Sequence, residues 1–433
     1  MKKLVLVTMI ILLVCGFAFA SAAAESKADA PKELTVWFSK CFSDDVNNAI
    51  EARALAFGEA NNVKMSVEYL KATDLTNTVN AALEAGSGNL PDVMMWSSYG
   101  KFMYYYPDLV NCEVTDLFNE INGAHPFLGQ RSGDCLEIDG KQYAIPFSVS
   151  PILMYVRKDA MEAAGVTKVP ETWEEVFDLA WKITEATDLN GLGWGCGPTY
   201  EDGELDVRNM MWTKGGFQLT SEGLSESPLY KEFAEEYVKM YNAGVIPTDA
   251  TTWTPSGNNN SYLAEESGIV FNASTLSRSL KNDHKDLYEK TIIASVPAES
   301  EHLYDTTAAW TITNKCEDKE LAKDFLRWML DYDWYSEFIK VCAPVFAPIY
   351  EEIAASDFWT NDSDNAAVVA YSKKADAFHS FPSRDGKMIA AGMKIYQTYG
   401  WCNVLSSMIN GSTFEEAWAV YDQSVKDILK ETL

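Results

Sequence analysis

Leu34-Thr35-Val36-Trp37-Phe38 is the first of three short β-rich runs; Met65 to Leu70 and Asp92-Val93-Met94-Met95-Trp96 follow it, with helical spacing in each interval. β-Branched and aromatic residues suit a pleated, half-buried surface, and Met65 to Leu70 alternates as a strand does. In the first interval Ile50, Ala54 and Phe57 fall at i, i+4 and i+7. In the second, Val79, Ala82 and Leu83 mark a helix that Gly86-Ser87-Gly88 closes. Strand, helix, strand, helix, strand predicts a sheet with helices packed on its faces. The fold class is α/β.

The alternation continues downstream. Asp139-Gly140 turns the chain into an extended Gln142 to Phe147, and Leu153 to Arg157 remains extended. Thr172-Trp173-Glu174-Glu175 and Thr413-Phe414-Glu415-Glu416 are capping boxes, in which the Thr hydroxyl and the third-position Glu satisfy each other's backbone donors. The second box opens a helix with Phe414, Ala417, Trp418, Tyr421, Val425, Ile428 and Leu429 on one face. Helices are expected near 228–243 and 319–330, and strands at Gly268 to Asn272 and Thr291 to Val296.

The chain's 433 residues can build two or three domains with buried cores. Its 63 acidic residues against 35 Lys and Arg give a formal charge of −28, which repels phosphate backbones and anionic lipids and argues against nucleic acid as a partner. Lys2 and Lys3, an apolar run from Leu4, and Ala18-Phe19-Ala20 before Ala22-Ala23-Ala24 form a secretory signal peptide over residues 1–24. Cys15 raises a second reading, a lipid anchor, although Val14 is bulky where a small residue is expected before a lipid-modified Cys. An exported protein, periplasmic or at the cell surface, is therefore expected. The seven later cysteines are odd in number and widely spaced, which suits buried thiols better than a disulfide framework; Cys112 with Cys135 is the one pairing considered.

Chemical motifs are scarce. There is no G-x-S-x-G, H-E-x-x-H or Walker loop, and the four histidines lack metal-site spacing. Gly191, Gly193, Gly195 and Gly197 read as a flexible turn, because Pro198-Thr199-Tyr200 follows where a dinucleotide fingerprint would open a helix. Asp188-Leu189-Asn190-Gly191 is similar to the start of a calcium loop that lacks its distal Glu. A paired-carboxylate glycosidase is neither supported nor excluded by so many acidic residues.

Several stretches, in order, resemble the extracellular solute-binding proteins of sugar ABC importers, the group that includes maltose-binding protein. They are Leu34-Thr35-Val36-Trp37, Gly88-Asn89-Leu90-Pro91-Asp92-Val93 before Trp96, and Asp139-Gly140-Lys141-Gln142-Tyr143-Ala144-Ile145-Pro146-Phe147 with Met154-Tyr155 and Lys158-Asp159. Val169 to Glu175, Gly268 to Asn272 and Lys319 to Leu326 complete the series. The resemblance implies a two-lobed periplasmic-binding-protein-like fold with a hinge and an interlobe cleft. It places one lobe at 30–146 and 298–340 and the other at 147–297 and 341–433, with Pro146 at the first crossing. It also implies capture of a mono- or oligosaccharide by a monomer, delivery to ABC permease subunits, and neither catalysis nor a cofactor. The alternatives weighed are a polyamine or glycerol phosphodiester as the solute, an exported carbohydrate hydrolase, and a scaffold for a protein partner.

A pyranose presents C–H faces that suit aromatic rings and a rim of hydroxyls that needs paired donors once dry. Loops at the carboxyl ends of strands form the binding crevice of an α/β sheet. Trp37, Ser39 and Asp45 are thus candidates near the end of the first strand and Trp96 at the end of the third, where Trp96-Ser97-Ser98-Tyr99 resembles the family's ring-and-hydroxyl loop and adds Ser97 and Tyr99. By resemblance, Tyr200, Arg208, Trp212, Asn272 and Trp401 are candidates in the second lobe. Asp305 and Thr306 stand where the family has a glycine-rich loop. Trp96 is the leading candidate for ligand contact, with the core as its competing place.

Overall fold

The computed structural model describes residues 32–86, 89–97, 110–129, 137–214, 219–225, 228–299, 303–304, 307–376, 383 and 385–433. The signal segment, Cys15, Tyr99, Cys135, Asp305 and Thr306 lie outside the described residues.

Two separate sheets organise the chain. The first is built from β1 (Lys32–Ser39), β2 (Val63–Leu70), β3 (Val93–Trp96), β4 (Ile145–Val149) and, from much later, β9 (Thr307–Ile312). Its order is β2-β1-β3-β9-β4. β1 runs parallel to β2 and β3, so Val36 lies between Val67 and Val93, while β9 runs antiparallel to β3 and β4. The parallel pairs require crossover helices, and α1 (Asp44–Asn61) and α2 (Ala72–Glu84) supply them. Leu34, Val36 and Phe38 are buried as the alternation requires. Asp92 clamps the entrance to β3: its Oδ2 accepts from both the backbone N–H and the hydroxyl of Thr35, each at 2.8 Å.

The second sheet holds β5 (Ile152–Arg157), β6 (Asn190–Leu192), β7 (Ser267–Ala273) and β8 (Thr291–Ser295) in the order β8-β5-β7-β6. Around it lie α3 (Trp173–Ala186), α4 (Glu201–Thr213), α5 (Pro228–Asn242), α6 (Thr275–Asp283), α9 (Gly400–Ile409) and α10 (Phe414–Thr432). Both capping boxes form reciprocally, at Thr172 with Glu175 and at Thr413 with Glu416. The helices α7 (Lys319–Met329) and α8 (Tyr332–Val341) return to the first sheet's side, where α7 and α8 pack on α1.

The chain passes between sheets at Ser150-Pro151, since β4 ends at Val149 and β5 begins at Ile152. Pro146 lies inside β4, where a shift of register pairs it with Ala309 and Ser148 with Ala308. Phe147 is left as the extra residue of a bulge, as fits a proline that cannot donate to the ladder. Beside this passage Val149 and Ala347 exchange backbone bonds of 3.3 and 2.8 Å.

The glycine stretch departs from its expected flexible turn. Gly191 is a strand residue, and a Cβ there would collide with the Ala180 carbonyl of α3; one at Gly197 would meet the Trp253 carbonyl. Close backbone approach is what these positions require.

Candidate functional site

At the carboxyl ends of β1 and β3, beside the Ser150-Pro151 passage, the structure has a cavity of about 210 Å³. Ser39 ends β1 buried, and its Oγ accepts from the Ser97 N–H at 3.2 Å. These two sequence candidates, separated by a helix, a strand and another helix, are thereby brought together. Ser148 and Ser150 border the cavity from the passage between sheets, and Thr275 does so from the start of α6. Phe42, Phe147 and Phe346 contribute ring surface, with Phe42 edge-on to Phe346 at 5.1 Å between centroids.

The backbone around the cavity is fixed from several sides. The Tyr335 hydroxyl of α8 donates to the Phe147 carbonyl at 2.6 Å, and Ser274 donates to the Val345 carbonyl at 2.6 Å. The Cys41 backbone N–H donates to Asn47 Oδ1 at 2.7 Å. Burial pushes the Cys41 thiol up to about 12, so it is neutral at physiological pH. Among the described residues no carboxylate borders this cavity, and its one cation, Lys40, faces Asp44 at 3.3 Å.

The second sheet's contribution is different. Helix α4 follows β6 and the packed glycine stretch, and all its residues from Gly203 to Thr213 are buried. It carries Glu204, Asp206 and Arg208 inside the protein, with Asp202 half-buried in its first turn. Asn258 donates to Asp202 at 3.1 Å, and the Cys402 N–H donates to Glu204 at 3.1 Å. The Arg208 guanidinium lies 4.2 Å from the Tyr396 ring centroid, and the Tyr396 hydroxyl donates to Glu201 at 2.9 Å. Burial raises the Asp202 carboxyl to about 6 and the Glu204 carboxyl to about 7, Arg208 opposing the latter. Asp206 is raised well above the carboxylate range, by burial first and by Asp202 second.

The other predicted residues divide by burial. Trp96 lies in the place that competes with ligand contact: it is 1% exposed, and its Nε1–H donates to Thr311 Oγ1 at 3.0 Å across the β3–β9 pair. It fills the first core, while its neighbours Met95 and Ser97 border the cavity. Trp37 is half-buried against the same core. Asp45 is exposed in the first turn of α1, whose cap is Ser43, so it neither borders the cavity nor caps the helix. Trp401 is fully buried against Tyr230, Trp418 and Tyr421, the Tyr230 ring lying 4.2 Å away. Tyr200 and Trp212 are also buried, Tyr200 edge-on to Trp253. Asn272 is buried and donates to Asn259 Oδ1 at 2.8 Å. Phe42, Phe147, Ser148, Thr275 and Phe346 escaped sequence reasoning. Only Phe147, beside the crossing proline, carried a local signal.

A larger cavity, about 610 Å³, is bordered by Arg278, Lys281, Lys340 and Asp362, among others. Its cations are already engaged: Lys281 with Asp362 at 3.0 Å, Lys340 with Glu337 at 2.6 Å, and Arg278 with the Val341 carbonyl at 3.1 Å. Among the described residues no group of three or more His, Cys, Asp or Glu gathers as a metal set, and no helix is long and apolar enough to cross a membrane.

Comparison with known proteins agrees with this architecture. A family model described as bacterial extracellular solute-binding protein matches residues 52–367. A Brucella abortus protein named as a binding protein is 29% identical over 238 residues, 54% of this chain and 57% of that one. The chain thus spans a little over half the length of these first relatives. The lactose-binding protein of Rhizobium radiobacter is 24% identical over 347 residues, 74% of this chain and 76% of its own. Among solved structures, an ABC transporter solute-binding protein of Thermotoga lettingae bound with α-D-tagatose superposes with a TM-score of 0.73 at 18% identity, covering 92% of this chain and all of that one. The cyclic α-maltosyl-1,6-maltose binding protein of Arthrobacter globiformis gives 0.67 at 18% identity, covering 93% and all. The fold is the two-lobed one, with one sheet in each lobe.

Proposed function

Because the chain belongs to the bacterial extracellular solute-binding protein family, we propose that it is the exported capture component of a sugar ABC importer, binding a mono- or oligosaccharide without altering it. Lobe one comprises about 30–146 and 298–340, lobe two about 147–297 and 341–433, with the passage itself running on to Ser150-Pro151. Open and closed arrangements interconvert; the ligand binds the closed one better and shifts the population. The closed form is what the permease subunits recognise. Release into the extracytoplasmic space and tethering through Cys15 both fit this role.

One observation carries the reading: a cavity at the carboxyl ends of β1 and β3 whose border offers hydroxyls and phenyl rings and, among the described residues, no carboxylate. A polyamine needs carboxylates around its amines, whereas a neutral sugar needs apolar surface for its C–H faces and hydroxyls for its rim. A thermal-shift panel of D-tagatose, maltose, lactose, laminaribiose, D-mannitol, spermidine and glycerophosphodiesters tests it. At a hundredfold excess over Kd a true ligand adds about 2.7 kcal/mol to stability. Stabilisation by a carbohydrate that is recovered intact is the expected result. A shift with spermidine alone, or cleavage of an oligosaccharide, overturns it.

A further inference from the structure

We propose that Ser148, on the strand that leads into the passage between the lobes, is a specificity-determining residue whose hydroxyl bonds the captured solute directly. The inference rests on the sugar-capture reading and adds a particular atom to it.

Three observations meet at this residue. Ser148 borders the 210 Å³ cavity. The residue is 1% exposed, and its Oγ, alone among the hydroxyls named around the cavity, is buried with no hydrogen-bond partner among the described residues. Ser39 by contrast accepts from Ser97, and Ser150 has an interaction of its own. Third, Ser148 lies beside the bulge at Phe147, where the register shift opposite Ala308 and Ala309 interrupts the regular ladder. Bulges re-aim side chains, and they gather next to functional sites.

Leaving a buried hydroxyl unpaired destabilises a protein relative to an apolar residue of similar size. Alanine or valine at position 148 would avoid that cost in a strand whose neighbours, Phe147 and Val149, are fully buried and apolar. Ser148 borders the cavity while its hydroxyl is shut from water and has no partner among the described residues; a solute seated there that carries hydroxyls of its own supplies the missing bond. The hydroxyl then discriminates by the same physics: a solute unable to bond it leaves it dry and unpaired, which disfavours that solute. Its position adds a coupling. Ser148 directly precedes Val149, which is bonded to Ala347 on another connecting segment, so a bond from solute to Ser148 acts on backbone shared by both.

The test uses the mature full chain and whichever carbohydrate of the panel stabilises the wild type most. Titration calorimetry of Ser148→Ala and of Ser148→Cys, which keeps the size but bonds weakly, should show affinity reduced about tenfold in both. The ligand-free melting temperature should stay level or rise, because the orphaned hydroxyl is gone; a residue serving only the fold would lower it. Wild-type affinity within twofold in both variants, or affinity lost only in step with melting temperature, overturns the assignment while leaving sugar capture standing. A wild type that no carbohydrate stabilises overturns the capture reading itself, and this assignment with it.

Discussion

The two lobes solve the same packing problem with different interiors. Around the first lobe's cavity stand hydroxyls and phenyl rings, with Lys40, paired to Asp44, as the only charge among the described residues. In the second lobe, α4 drives Glu204, Asp206 and Arg208 into the interior, with Asp202 half-buried beside them. Burying charge costs several kcal/mol per ion unless partners and proton uptake offset it, and the raised Asp202, Glu204 and Asp206 carboxyls show which route this lobe takes. The difference teaches that, among the described residues, the indoles do not gather at the cavity. The large indoles Trp96 and Trp401 build the two cores, and smaller groups border the cavity.

The sharpest way to break that comparison is to remove an indole from each core. Trp96→Ala and Trp401→Ala should each cost about 3–5 kcal/mol of stability, measured as a shift of the urea midpoint at unchanged slope. If Trp96→Ala instead kept its stability and lost only the ligand response, Trp96 would belong to the site and the contrast would fail.

A smaller effect separates the charged interior from the uncharged one. The Glu204 carboxyl holds its proton up to about pH 7 in the folded chain but only to the ordinary range near 4.5 when unfolded. Its contribution is therefore complete below about 4.5 and lost as pH rises to about 7. Between pH 5 and pH 8 the wild type should lose about 2 kcal/mol more than Glu204→Gln does, by denaturant titration at each pH. Parallel curves would mean that the second lobe's carboxyls are ionised and satisfied. The smallest effect is at the surface: Thr413→Ala removes the cap of α10 and should cost about 1 kcal/mol without changing ligand affinity.

How much of this could be read in the sequence depended on distance along the chain. Periodicity is local, so the strands at 63–70 and 93–96, the helix at 228–242 and both capping boxes were legible to within a residue or two. That Ser39 and Ser97 share one cavity border was legible because both stand at the ends of strands in one sheet, and strand ends define a crevice. The burial of Trp96 was not, because it rests on Thr311, 215 residues away on a strand that only the completed topology sets beside it. Ser148, Thr275 and Phe346 converge from three separate segments, and nothing near any of them signals the other two. The glycine stretch failed for the same reason: its glycines answer to Ala180 and Trp253, not to their own neighbours.

The reciprocal bonds between Val149 and Ala347 also govern mobility. Two connectors sutured at one point cannot flex independently, so they define a common pivot line. A rotation about that line, as in hinge closure, would keep both bonds, whereas a slide of one connector past the other would break them. The cavity lies next to the pivot, where atomic displacements are smallest and the leverage on distant rims is greatest. A guest shifting the backbone there by a fraction of an ångström would move the outer edges by far more.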